Sequence, residues 1–313
     1  MSAILKVSKL TKAYPANKIG EEPYLAVNNL SFQLGKGEVL GLLGPNGAGK
    51  TTTIQMLLGL TKLTSGSIHY FDKELHANRE YVLSRINFAS AYSHVQGKMT
   101  VRQNLKIYGM IYGAKNLNQK IEQLAELLEI KPILDTIFWK ISSGQQTRVI
   151  LAKGLINEPQ VLLMDEPTAS LDPDIVNKIL DLIRSLQKEK QLSILYTSHN
   201  MEEITRICNR VMFLQKGELV AEDTPLGLTK LIGDSKLIIT FDKAYEKASE
   251  YLSKKQLSFS AIRNHLLEIN LPEEKIPETL FDLKKLGVWI TDIDIKKPTM
   301  EDVFLSFARK GNT

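Results

Sequence analysis

Apolar and polar positions change rhythm several times along the chain. Residues Ile4 to Tyr14 and Leu25 to Leu34 predict two strands, the second alternating Leu30, Phe32 and Leu34 against Ser31 and Gln33. Pro15 to Pro23 is a polar connection between them, and Gly35-Lys36-Gly37 makes a turn. Glu38-Val39-Leu40-Gly41-Leu42-Leu43 is a mostly apolar run of the length of a buried strand, and Thr52 to Leu60 reads as a helix. Thr64-Ser65-Gly66-Ser67 is a second turn before a short strand, Ile68-His69-Tyr70-Phe71. The first part is therefore β-rich, with one helix set into it.

From about Arg85 to Ile156 a helical period takes over. Thr100 is placed to cap Val101 to Tyr112, Ile121, Leu124, Ala125 and Leu128 share one helix face, and Ser142 or Ser143 can cap Gln145 to Ile156. An apolar strand, Val161-Leu162-Leu163-Met164-Asp165, then ends in two carboxylates, Asp165 and Glu166. A helix from Asp174 to Gln187 carries Ile175, Ile179, Leu182, Ile183 and Leu186 on one face, and Leu192 to Thr197 is a further strand. Strand and helix in alternation predict an α/β core with a parallel sheet and its ligand at the carboxyl ends of the strands. At Thr224-Pro225 a new segment opens, and residues 225–313 read as a small α+β unit. Its strands are expected near Lys236 to Phe241 and Gly287 to Ile295, and Thr299-x-x-Asp302 resembles a capping box for a last helix.

Composition changes little. The chain has 313 residues, 43% hydrophobic and 24% charged, ample for a core and of a length that favours two domains. No run of about 18 apolar residues occurs, so no membrane span is expected. The start lacks a charged segment followed by a long apolar one, which predicts a cytosolic protein. Cys208 stands alone, excludes an internal disulfide framework, and reads as a small buried hydrophobe. A net charge of +5 raises the question of nucleic acid or an anionic surface as partner. Forty basic residues interspersed with thirty-five acidic ones make a mixed solvated surface instead, so no nucleic acid is expected.

The candidate chemistry starts at Gly44-Pro45-Asn46-Gly47-Ala48-Gly49-Lys50-Thr51, which fits the phosphate-binding pattern G-x-x-x-x-G-K-[ST] at every fixed position and lies between a strand and a helix that includes Thr52. Backbone N–H groups of such a loop and the positive end of its helix face an anion. In this role Lys50 reaches the β- and γ-phosphates and the Thr51 hydroxyl binds Mg²⁺. Asp165 at the end of its strand is placed to hold Mg²⁺ through water, and Glu166 to accept a proton from an attacking water.

These residues carry a family resemblance. The chain resembles the nucleotide-binding subunit of an ATP-binding cassette transporter: Ile141-Ser142-Ser143-Gly144-Gln145-Gln146-Thr147-Arg148 is similar to the signature L-S-G-G-Q-x-x-R. Ser170-Leu171-Asp172-Pro173 is similar to the D-loop, Thr197-Ser198-His199 to the switch-histidine segment, and Tyr14 to the aromatic that stacks on adenine. The elements stand in the family's order over roughly residues 4 to 224, and Pro298 to Phe304 is similar to the end of extended cassettes, often of export systems. The resemblance implies a P-loop NTPase core, a RecA-like parallel sheet plus an antiparallel β subdomain, in residues 1–224, with a helical subdomain at about 85–156 and an accessory domain at 225–313. It implies ATP and Mg²⁺ as cofactors, Glu166 and His199 as catalytic residues, and Ser142, Gly144 and Gln145 as phosphate contacts. It also implies two cassettes, as a homodimer or a pair, sandwiching ATP head to tail and driving a separate integral membrane permease from the inner face of the cell membrane.

Two departures stand out. Ser143 replaces a signature glycine, and Ala91 falls where the family keeps a glutamine, the nearest being Gln96. Either Gln96 substitutes as a metal contact, or the metal and coupling contacts differ. A cassette acting on a soluble partner such as the ribosome or DNA is the competing function, against which each motif occurs once rather than twice.

Overall fold

A computed structural model describes residues 3–15, 23–91, 95–169, 171–231, 235–242, 244–263 and 265–310. Ser170 of the D-loop-like stretch and most of the polar connection after Pro15 lie outside the described residues. The chain divides into two compact units, one of Met1–Pro225 with Phe307–Thr313, the other Leu226–Ser306.

In the first unit a sheet runs in the order Glu218–Asp223, Arg210–Gln215, Val39–Leu43, Ser193–Thr197, Val161–Asp165, Ile86–Ser90. Every pairing is parallel except that of the edge strand Glu218–Asp223. Val39–Leu43 and Ser193–Thr197 are buried along their whole length, which is why they read as unbroken apolar runs: a parallel sheet is covered on both faces. Parallel neighbours also align their carboxyl ends, so Ser90, Asp165 and Thr197 lie side by side in register. An antiparallel sheet, Tyr24–Gly35, Ala3–Tyr14, Ser65–Tyr70 and Lys73–Glu74, shares a core with this one through Leu5, Val7, Phe32, Leu42 and Met212.

Helices Val101–Ile111 and Leu117–Leu127 follow the core strand Ile86–Ser90. Thr100 closes the first of them with a reciprocal capping box to Gln103, and Ser142 does the same with Gln145 for Ser143–Leu155. The helix expected to end at Gln187 runs Pro173–Lys190, with Asp174 in its first turn and Lys188 and Lys190 in its last, complementing the helix dipole.

The sequence reading passed over the strands Arg210–Gln215 and Glu218–Asp223 and the helix Met201–Ile207. In the second unit it missed the strands Ser258–Arg263 and Leu266–Leu271, which join Ser235–Phe241 and Ile290–Lys296 in an antiparallel sheet. Leu237, Ile239, Phe241, Leu267 and Ile269 from that sheet pack against Ala248, Leu252 and Leu283 of two helices. No helix among the described residues is long and apolar enough to cross a membrane.

Cys208 is 8% exposed beneath Val39–Leu43, and burial pushes its thiol well above the usual range. It is expected to stay inert to Ellman's reagent at pH 8 in the native chain and to react fully in denaturant; rapid native labelling would show the site to be open.

Candidate functional site

The phosphate-loop segment joins Val39–Leu43 to the helix Lys50–Leu57. At Gly44 a Cβ would lie 2.2 Å from the Leu214 carbonyl oxygen, and at Gly49 2.3 Å from that of Ala26, so the fold demands both glycines before any ligand is considered. Gly47 is different: its φ is +80° and nothing lies within 4 Å of the direction a Cβ would take. There the backbone is left open for close approach.

A cleft of about 200 Å³ lies over this loop, walled by Lys50, Thr51, Glu166 and His199 and flanked by Tyr14 and Tyr24. Ala26, Asn46, Gly47, Ala48, Gly49 and Thr52 complete its lining. Lys50 is 8% exposed, and its Nζ donates to the carbonyls of Gly44, at 2.5 Å, and Pro45, at 3.2 Å. Burial pushes this ammonium below its ordinary pKa of 10.5, while the nearby charges of Glu166 and then Asp165 pull it back up. A buried cation with only neutral acceptors, facing two carboxylates, is a ready anion site.

Glu166 reaches the cleft just beyond the end of Val161–Asp165. Thr197 Oγ1 donates to Asp165 Oδ1 at 2.6 Å, and Glu166 N donates to Thr197 O at 3.1 Å. Glu166 has φ +49°, a left-handed conformation that costs energy for a residue with a Cβ. The neighbouring strand holds it there. His199 Nε2 lies 2.6 Å from Glu166 Oε1, joining the two residues that the resemblance named as catalytic.

Thr51 and Asp165 are hard oxygen donors, and no group of three or more His, Cys, Asp or Glu able to hold a metal occurs among the described residues. That donor set fits Mg²⁺, which keeps several waters and is bound through one or two carboxylates and phosphate oxygens. It does not resemble an all-protein metal cage.

Tyr14, 36% exposed, carries the Lys12 ammonium 4.8 Å from its ring centroid. Tyr24 is paired with it across the two strands, is 58% exposed, and donates from its hydroxyl to Gly47 O at 3.4 Å. The sequence reading missed Tyr24. Its signal was an aromatic at the start of the strand opposite Tyr14.

Other expected site residues fall elsewhere. Ser142, Gly144 and Gln145 do not line the cleft. Gly144 is buried where a Cβ would stand 2.8 Å from Ile175 Cγ2, so packing against the next helix already requires glycine there. Gln96 is exposed, outside the cleft, and held by its backbone, which accepts from Asn104 Nδ2 at 2.9 Å and donates to Asn104 Oδ1 at 2.8 Å. Ala91 directly follows Ser90, the residue paired with Asp165.

Comparisons with known proteins identify the family. The family model described as ABC transporter matches residues 27–169, and an AAA domain model matches residues 135–205. The chain is 37% identical over 206 residues to the Nod factor export ATP-binding protein I of Burkholderia lata, covering 65% of this chain and 67% of that protein. It is 36% identical over 222 residues to the bacitracin transport ATP-binding protein BcrA of Bacillus licheniformis, covering 71% of this chain and 70% of that one. In three dimensions it is similar to the dimeric ATP-binding cassette MJ0796 bound to ADP and Pi, with a TM-score of 0.62, 24% identity and coverage of 70% and 98%. It is also similar to cbiO1 from Clostridium perfringens, with a TM-score of 0.63, 24% identity and coverage of 74% and 94%, and these likenesses establish the shared fold. The loop, the paired carboxylates, the sheet that aligns them and the relatives together show that the chain belongs to the ABC transporter family, as one of its ATP-binding, ATP-hydrolysing subunits.

Proposed function

We propose that the chain powers export by a separate integral membrane permease, hydrolysing Mg-ATP between two cassettes at the inner face of the membrane. The observation that carries the catalytic part is the cleft in which Lys50, Thr51, Glu166 and His199 converge while Ser142, Gly144 and Gln145 stand outside it. A site completed only by a second chain accounts for that separation. The printed names of the relatives, export of Nod factor in one case and transport of bacitracin in the other, support the direction.

In this reading Lys50 and the loop N–H groups bind the phosphates, Tyr14 and Tyr24 flank the base, and Glu166 Oε1 takes the proton of the attacking water. His199 orients that carboxylate through the contact already made at Oε1. Thr51 Oγ1 and, through water, Asp165 would hold Mg²⁺, which would supply charge neutralisation at the phosphates. Thr197 keeps Asp165 turned to the site by donating to its Oδ1. Residues 1–224 act as the cassette proper, with its helical subdomain at about 85–156, and 225–313 as an accessory domain.

Affinity purification from membranes of cells expressing the tagged full chain is expected to recover a polytopic membrane protein and an ATPase activity abolished by EDTA. Recovery of ribosomes or DNA in place of a membrane protein would overturn the transport assignment, and hydrolysis unaffected by EDTA would overturn the Mg²⁺ assignment.

A further inference from the structure

One carboxylate beside the site gathers three hydroxyls from two separate segments. Glu203, on the helix Met201–Ile207, is 4% exposed. Its Oε2 accepts from Thr168 Oγ1, Tyr196 Oη and Ser198 Oγ, each at 2.8 Å. Burying a carboxylate without a cation is costly unless donors replace its water, and three hydroxyls on one oxygen do so. Burial and then the charge of Glu203 push the Tyr196 hydroxyl well above its ordinary pKa, so it remains a donor.

The positions of the donors matter more than their number. Thr168 is two residues beyond Glu166, and Ser198 immediately precedes His199. Ser198 Oγ also accepts from Asn200 N at 3.0 Å, and Asn200 caps the helix that carries Glu203. The loop bearing Glu166 and the loop bearing His199 are thus both referred to a single oxygen. On their outer side a cleft of about 460 Å³ runs along Glu166, Thr168, Ser198, His199 and Glu203, so packing is incomplete there and hydrogen bonds must supply the order.

We propose that Glu203 is a positioning residue: through the hydroxyls of Thr168 and Ser198 it holds Glu166 and His199 in their 2.6 Å contact. It touches no reacting atom. The inference rests on the reading of Glu166 as the proton acceptor. None of the three hydroxyls belongs to the phosphate loop, so the consequence falls on turnover and not on nucleotide affinity.

The test uses the full-length chain with Glu203→Leu, Glu203→Gln and the double variant Thr168→Val/Ser198→Ala, measuring kcat, ATP affinity and melting temperature. Glu203→Leu is expected to lower kcat roughly 10- to 100-fold, with ATP affinity within about threefold of the parent. Glu203→Gln retains an acceptor oxygen and is expected to recover kcat to within about fivefold. The double variant removes only the two coupling hydroxyls and is expected to lose turnover as Glu203→Leu does. Parental kcat in Glu203→Leu, or equal impairment of the Leu and Gln variants, overturns the proposal. If Glu203→Leu does not fold, parental kcat in the double variant overturns it. Failure of the underlying reading is distinguishable, because it shows as parental turnover in Glu166→Gln, whereas failure of this proposal leaves Glu166→Gln inactive.

Discussion

Glu166→Gln in the full-length chain is expected to lower ATP turnover by roughly 10²-fold or more while leaving ATP affinity within about threefold of the parent. Glutamine keeps the shape of the side chain and its contact distance to His199 Nε2, now 2.6 Å, but its amide cannot take a proton from water. The left-handed backbone at residue 166 and its bonds to Thr197 O and Oγ1 use only main-chain atoms of residue 166, so they survive the change. Trapped in the ATP-bound state, the variant is also expected to accumulate as a dimer when Mg-ATP is added. Size-exclusion chromatography with and without nucleotide reads the second effect, and phosphate release reads the first. Parental phosphate release would remove Glu166 as the base; a monomer with ATP bound would count against a site shared between two chains.

Lys50→Met carries the second large expectation: loss of nucleotide binding together with unchanged or raised thermal stability. Nζ donates only to two backbone carbonyls, and burial disfavours its charge. The cost of that buried ammonium is offset in part by the charges of Glu166 and Asp165, and further when an anion arrives. A charge-assisted hydrogen bond is worth about 1.5–3 kcal/mol, so each one lost corresponds to a roughly 10- to 150-fold weaker affinity. Methionine fills a similar volume with no charge to desolvate. The pH dependence has a definite sign. Because the folded state binds this proton more weakly than the unfolded state, Lys50 costs stability below its depressed pKa, and the cost disappears as pH rises through that pKa toward 10.5. The melting-temperature advantage of Lys50→Met should therefore shrink in alkaline buffer. A variant that binds ATP normally in calorimetry, or one destabilised equally at every pH, would contradict this account.

The two predictions draw on different levels of information. Lys50 was legible because loop, lysine and helix are contiguous, whereas the steric demands at Gly44 and Gly49 come from the carbonyls of Leu214 and Ala26, on strands distant in sequence. Asp165 and Glu166 were legible because a strand buried on both faces is apolar until it ends. His199 was singled out by resemblance, but its contact with Glu166 spans two neighbouring strands and has no signature along the chain. Glu203 left even less trace: a carboxylate on a short helix reads as a solvated charge until three hydroxyls are seen around it. Gly144 shows the reverse, since a position that the resemblance names as a phosphate contact is also one where a Cβ would press on the Ile175 side chain.

Missed elements follow the same division. Val211-Met212-Phe213-Leu214 is a clear apolar run before Lys216-Gly217, yet only its parallel pairing with Val39–Leu43 makes it a central strand of the site's sheet. By itself the sequence determined whatever residues a few positions apart can settle: the strand, loop and helix around Lys50, a cap at Thr100 and another at Ser142 or Ser143, the polar end of a buried strand. These contacts close short loops and cost little chain entropy, so they are written locally. Which strand ends lie together, which carboxylate faces His199, and where Glu203 finds its donors were decided only by the tertiary structure. Parallel neighbours are joined by long crossovers, and their pairing depends on the burial of the whole sheet rather than on any stretch of it.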